Sequence, residues 1–313
     1  MVKDLKIRFV ISTKSGKGFI AESLKEAILQ AFAHLETPDI CFTQRAHHVY
    51  DLCKEWAERY EDQGLVYVCG GDGTLSEASA ALAQTKTYMG IIPIGTGNDF
   101  ARFIYGEESS PKLINRLIAL TPYPRLDAID LLKVNDGWAI NVLSMGHDAV
   151  VLDQALKNLK NWSGWGKFSY LIAVFQTLFV DKVYHYVYDF LLEDGSRMSG
   201  EMEATVSVIA NGKYYGGGFT PAPAAVVDDG VADIILAKRL TFRELVPLLI
   251  KYKKGEHLGH PKIINQRIVK GVIRNKNHGP MMANYDGIVF NPESITVEVV
   301  PDALNFAYLE EGR

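Results

Sequence analysis

Two hydrophobic periodicities divide this chain near residue 125. Before that point, short apolar runs alternate with stretches whose apolar residues recur every three to four positions. The order is LKIRFVIS, a helical pattern over 18–35, DICFT, a second helix over 47–60, GLVYVC, a third over 75–84, YMGIIPI, and a fourth over 111–119. Alternation of this kind predicts a mostly parallel sheet with helices on both faces. TPYPRLD, with Pro122 and Pro124, reads as a linker. Beyond it strands dominate: AIDLLKV, WAINVLS, VYHYVYDFLLE, MSGEMEATVSVIA, VADIILA, QRIVKGVIR, MMANYDGIVF and SITVEVV. Turns at Asp194-Gly195 and at 277–280 predict antiparallel hairpins joining their flanking strands. The expected fold class is therefore α/β, with a Rossmann-like parallel-sheet domain over 1–125 and an antiparallel, β-rich domain over 126–313, whose C-terminal tail is free to return to the first domain.

The most apolar stretch, FSYLIAVFQTLFV over 168–180, is shorter than the ~18 residues of a membrane span. It reads as a buried core helix; the competing reading is a lipid-facing lid, because Trp162 and Trp165 precede it with Lys157, Lys160 and Lys167 nearby. With 313 residues, 48% of them hydrophobic, the chain can bury a large core. A net charge of −4 argues against a generally basic nucleic-acid binder and leaves room for a local basic patch. Three cysteines, at 41, 53 and 69, have neither metal-ligand nor disulfide spacing, and the N-terminal MVKDLKIRFVIS lacks a signal-like apolar span, so a cytoplasmic location is expected.

The candidate chemistry lies where strands give way to glycine. GLVYVC runs into Gly70-Gly71-Asp72-Gly73-Thr74 and then a helix, and YMGIIPI runs into Gly95-Thr96-Gly97-Asn98-Asp99 and another. A glycine-rich turn opening a helix offers backbone N–H groups and the positive end of a dipole, which suit a phosphate. Asp72 would repel that phosphate unless it holds the loop or faces Mg²⁺, and Thr74 and Glu77 are placed to cap the helix or touch the ligand. A third loop, Ser12-Thr13-Lys14-Ser15-Gly16, adds hydroxyls and a cation. Gly18 after Gly16-Lys17 rules out a Walker A loop, and no G-x-G-x-x-G occurs in register.

Together GGDGTLSE, IIPIGTGNDFAR, NGKYYGGG, VVDDGVAD and NYDG resemble the diacylglycerol kinase catalytic family, specifically its soluble bacterial lipid kinases, with sphingosine and ceramide kinases as relatives and NAD kinases more distant. The resemblance implies an ATP-binding first domain, a β-sandwich-like second domain, an active site in a cleft between them, and transfer of a γ-phosphate to a lipid hydroxyl. It puts ATP contacts on Ser12, Thr13, Lys14, Ser15, Gly16, Thr43, Gly70, Gly71, Asp72, Gly73, Thr74, Leu75, Ser76, Thr96 and Asp99. It implies Mg²⁺ as well, held structurally by the Asp229 carboxylate and the carbonyls of Val226 and Val231. Asp286 becomes the catalytic base, and His147 and Asp148 match a family G-x-D element. Two departures stand out: Ser12-Thr13 where relatives have Asn-Pro, and Ile288 where the family's D-G-E motif has Glu. The implied partners are ATP and a membrane lipid reached by peripheral contact, with no nucleic acid; a homodimer is compatible. Two alternatives remain, a catalytically weak nucleotide- and lipid-binding regulator and a soluble enzyme of NAD-kinase type.

Overall fold

The computed structural model describes residues 5–15, 20–106, 109–146 and 184–310. The chain divides into two compact units, one running to Asp130 and resuming at Asp302, the other comprising Leu131–Pro301.

The first unit contains β1 (Lys6–Ile11), α1 (Ile20–Ala31), β2 (Asp39–Phe42), α2 (His48–Tyr60), β3 (Gly64–Gly70), α3 (Asp72–Leu82), β4 (Tyr88–Pro93), α4 (Asp99–Tyr105) and α5 (Pro111–Leu120). The chain leaves it within β5 (Arg125–Val134) and re-enters within β14 (Ser294–Tyr308). Strands order as β14-β4-β3-β1-β2, with β1 to β4 mutually parallel and β14 joining β4 in parallel at Phe306 opposite Met89. Every residue of β3 is buried, as expected when helices cover both faces of a parallel sheet. On one face Phe9, Tyr67 and Ile92 pack with Leu24 and Ile28 of α1 and with Leu113 and Leu117 of α5. On the other, the buried Arg8 donates to Asp39 at 2.6 Å and Glu55 at 2.9 Å and lies 4.2 Å from the Trp56 ring centroid of α2.

The second unit is antiparallel. After β6 (Gly137–Ala139) and β7 (Val142–Gly146) come β8 (Tyr184–Leu192), β9 (Arg197–Ala210), β10 (Ala232–Lys238), α6 (Phe242–Lys254), β11 (Ile263–Asn275), β12 (Ala283–Tyr285) and β13 (Ile288–Phe290). The long strands β9 and β11 each change partners along their length, from β8 at one end to β10 at the other, which wraps two layers around one core. That core includes Leu143, Phe190, Ile209, Ile234, Ile268 and Ile295.

Several expectations need correction. The 277–280 turn does not join a hairpin: β11 pairs with β8, β10 and β14, whereas β12 pairs with β7 and β13. WAINVLS is two strands, and the proposed linker is already in β5 from Arg125. The third helix begins at Asp72 rather than residue 75, and His47 precedes α2 in a left-handed conformation instead of lying on it.

Candidate functional site

In the first unit the strand registers set Ile11 level with Phe42 and Cys69, and Gly70 level with Pro93, so the loops that follow these strands share one edge of the sheet. The chain winds outward from β1 to β2, then returns to the opposite side of β1 to lay down β3 and β4. Such a reversal leaves a crevice at the carboxyl ends of the two strands, the usual ligand position in an open α/β sheet. Here it falls between residues 12–15 after β1 and residues 70–73 after β3.

Gly70 ends β3, Gly71 is the N-cap, and α3 starts at Asp72 with no side-chain cap, so neither Thr74 nor Glu77 plays the capping role expected of it. The uncapped N-terminus of this 11-residue helix carries N–H groups and positive dipole character toward the strand edge. The neighbouring glycines have different reasons to be glycine. A Cβ on Gly95 would stand 2.3 Å from the Gly71 Cα, and one on Gly97 would stand 2.6 Å from Asp72 Oδ2. A Cβ on Gly73 would meet nothing within 4 Å among the described residues. The two glycine loops are thus packed backbone to backbone, and the Gly70 carbonyl accepts from the N–H groups of Ile94 at 3.1 Å and Gly95 at 3.2 Å.

Asp72 fastens this pair. Its Oδ1 accepts from the Phe100 N–H at 3.3 Å; burial pushes its carboxyl up, and backbone N–H groups of Phe100, Asn98 and Asp99 oppose that rise. Asn98, which sequence reasoning passed over, closes the second loop from inside: Oδ1 accepts from Gly95 N at 3.0 Å and Nδ2 donates to Gly95 O at 2.7 Å. Its left-handed φ, 57°, is one that Asn tolerates, the only hint the sequence offered. Asp99, Leu75 and Ser76 are buried, whereas Thr96 is exposed.

Across the crevice, Thr13 N donates to Thr43 Oγ1 at 3.1 Å and Thr13 Oγ1 donates to Thr43 O at 2.8 Å. Ser15 Oγ donates to Ser12 Oγ at 2.9 Å, and Ser12 N donates to Cys69 O at 2.9 Å. Lys14 is exposed. Gly16 lies outside the described residues, as do His147, Asp148, Trp162, Trp165 and the 168–180 stretch.

In the second unit, Asp286 and Gly287 form the two-residue loop between β12 and β13, with φ of 46° and 92° and Tyr285 paired with Ile288. Two successive positive φ values make this a type I′ hairpin, which Asp-Gly favours. The Asp286 carboxylate accepts from three backbone N–H groups: Ile140 at 2.6 Å, Asn141 at 3.2 Å and Val142 at 2.8 Å. These bonds hold the break between β6 and β7. Asn141 extends the arrangement, donating from Nδ2 to Tyr214 O at 2.9 Å while its own carbonyl accepts from Asn211 N at 2.8 Å. An Asn in the middle of the apolar run WAINVLS was the signal for it. Gly216, Gly217 and Gly218 all have positive φ, so that loop requires glycine for its own conformation. Ile288 is 43% exposed.

The acidic turn holds a cation of its own. Arg267 pairs with Asp229 Oδ2 and, at 3.0 Å, with Glu193, while the Val231 N–H donates to Asp229 Oδ1 at 3.3 Å. Burial pushes the carboxyls of Asp229 and Asp233 up, and Arg267 opposes this in both. A carboxylate joined by carbonyls of Val226 and Val231 is suitable chemistry for Mg²⁺. With both Asp229 oxygens engaged, however, the residues as arranged do not fit the ion unless Arg267 moves. Asp72 is likewise committed to backbone N–H groups, and among the described residues no three His, Cys, Asp or Glu side chains converge.

Residues 6–130 match the diacylglycerol kinase catalytic domain, and residues 141–308 match the YegS C-terminal NAD kinase beta sandwich-like domain. The chain is 27% identical to a diacylglycerol kinase of Staphylococcus carnosus over 288 residues, covering 90% of this chain and 87% of that one. It is 28% identical over 264 residues to a protein of Citrobacter koseri named probable lipid kinase YegS-like, covering 79% and 81%. A crystal structure of a diacylglycerol kinase from Bacillus anthracis superposes with a TM-score of 0.71 at 20% identity, covering 97% of this chain and 96% of that one.

Proposed function

This chain belongs to the lipid-kinase family that carries the YegS C-terminal NAD kinase beta sandwich-like domain behind a diacylglycerol kinase catalytic domain, and from that premise we propose that it transfers the γ-phosphate of ATP, supplied as its Mg²⁺ complex, to a hydroxyl of diacylglycerol or a related lipid alcohol. The observation that carries the nucleotide half is the uncapped start of α3 at the winding reversal, with Gly73 unobstructed beside it. Phosphoryl transfer asks mainly for positioning and for positive charge around the migrating group. In this reading the α3 N-terminus binds the phosphates, the Lys14 ammonium adds a cation from the facing loop, and the Thr13–Thr43 pair supports the nucleoside side. Mg²⁺ enters as counter-ion of the triphosphate, and no step is assigned to a protein-held metal.

Asp286 is the proposed base for the acceptor hydroxyl. Its three N–H donors orient the carboxylate, but they also compete for the lone pairs that a base needs. That competition, together with Ile288 in place of the family Glu, favours one second reading: a nucleotide- and lipid-binding protein with weak turnover. The test is incubation with γ-labelled ATP and Mg²⁺ against lipid alcohols in mixed micelles, with NAD as a soluble acceptor. Label in a lipid product supports the kinase. Label in NAD alone overturns the lipid acceptor, and ATP binding without any product supports the second reading.

A further inference from the structure

Helix α6 carries apolar side chains on its outer face as well as on its inner one. Leu248 and Tyr252 point inward, with Tyr252 in a cluster containing Phe219, Ala222 and Val208. At helical spacing, the opposite stripe consists of Arg243, Val246, Pro247, Ile250 and Lys254, all exposed, with Lys251 and Lys253 on its flanks. Val246 is 39% exposed and Ile250 59%; among the described residues they are the one pair of exposed large aliphatic side chains a turn apart on a helix. A single exposed Val or Ile is unremarkable. Two of them with an exposed proline between, bordered by cations at both ends and both sides, form a surface with a definite preference.

Charge identifies that preference. The helix carries Arg243, Lys251, Lys253 and Lys254 against one anion, Glu244, in a chain whose net charge is −4. Glu244 is already satisfied, accepting from Thr241 N at 2.9 Å and pairing with Lys262 at 2.7 Å, whereas none of the four cations has an ion-pair partner among the described residues. The helix is also fixed in place: Tyr252 OH lies 3.2 Å from Tyr215 OH, and Thr220 Oγ1 donates to Lys253 O at 3.1 Å. The exposed face is therefore preformed, and ordering it on contact has little entropic cost.

We propose that this face of α6 docks the protein on an anionic lipid surface, with Val246, Pro247 and Ile250 entering the apolar boundary and the four cations meeting lipid phosphates. Amphipathic helices with apolar residues bordered by Lys and Arg bind the membrane interface in this way. The inference rests on the lipid-kinase reading for its purpose, because a soluble enzyme must meet its lipid acceptor at a bilayer. Its test is independent of turnover.

Vesicle co-sedimentation is the measurement, using equal parts phosphatidylcholine and phosphatidylglycerol against phosphatidylcholine alone. The wild type should sediment with the anionic vesicles only, and added NaCl should release it. Each cation near such a surface contributes on the order of fivefold in binding, so Lys251→Glu/Lys254→Glu should lose at least about tenfold. Val246→Glu/Ile250→Glu should lose binding comparably, and because all four positions are exposed, both variants should keep the wild-type circular dichroism and melting temperature. Failure of the wild type to bind anionic vesicles overturns the proposal, as do folded variants that bind like wild type. A protein that binds these vesicles through α6 yet phosphorylates no lipid leaves docking intact and refutes the kinase instead.

Discussion

Gly95 and Gly73 look alike in the sequence and differ in what a methyl group would do. At Gly95 the added carbon would lie 2.3 Å from backbone, so the loop pair must shift; Gly95→Ala should lose about 1–3 kcal/mol, measurable as a lower midpoint in urea. An unchanged midpoint would show that the loops are not packed as described. Sequence reasoning found both glycine loops and gave Gly70, Gly71 and Gly73 a ligand-facing purpose but missed that Gly95 packs on Gly71, because that contact joins positions far apart in the chain. Asp286 carries a similar lesson. It was legible as a motif residue, while its three backbone donors come from residues 140–142 and had no signature in NYDG itself. Asp286→Asn puts an amide where one of two accepting oxygens stood, and hydrogen bonds to a charged group contribute about 1.5–3 kcal/mol each. The variant should therefore be less stable by about 2–3 kcal/mol as well as slower. A variant that is slower but fully stable would separate catalysis from the strand clamp.

Among the elements, the parallel half was readable because each strand is followed by its own helix and the central strand β3 is buried on both faces. The antiparallel half was readable as strands but not as pairings. Asp194-Gly195 does join β8 to β9, with the Ser196 N–H and hydroxyl donating to Asp194 Oδ1 at 2.9 Å and 2.6 Å. The 277–280 turn offered similar local chemistry, but β11 already has its neighbours in β8, β10 and β14, so long-range pairing decided the outcome. The turn before β10 also differs from its local signal. Three acidic residues, Glu193, Asp229 and Asp233, face Arg267, which supplies the cation internally. Millimolar Mg²⁺ should therefore leave the melting temperature of the ligand-free protein unchanged, while Asp229→Ala, which leaves Arg267 without that partner, should melt lower. A Mg²⁺-specific rise in the wild type that Asp229→Ala abolishes would place the ion in the turn in spite of Arg267.

For the whole molecule, pH and nucleotide give separate tests. His257 is fully buried against Tyr252 with no hydrogen bond of standard geometry among the described residues, and burial lowers its pKa from 6.5 to about 4, only partly offset by the Pro221 carbonyl. The folded protein thus keeps this ring neutral while the unfolded chain protonates it. Stability from this source is level above pH 6.5 and falls as pH drops from 6.5 toward about 4. The raised carboxyls of Asp72, Asp229 and Asp233 act in the opposite sense at the acid end and blunt the fall. Chemical denaturation across that range should show the slope, and His257→Leu should flatten it; equal slopes would assign the acid sensitivity elsewhere. In the proposed function the uncapped start of α3 receives the phosphates of ATP, and Gly73 isolates that role because a methyl group there would meet nothing within 4 Å among the described residues. The measurement is a calorimetric titration of wild type and Gly73→Ala with MgATP, alongside their melting temperatures. Gly73→Ala should melt at or above the wild-type temperature, since alanine favours a helix by up to about 1 kcal/mol over glycine, and should bind ATP at least about tenfold more weakly. Equal affinity in two equally stable proteins would contradict it.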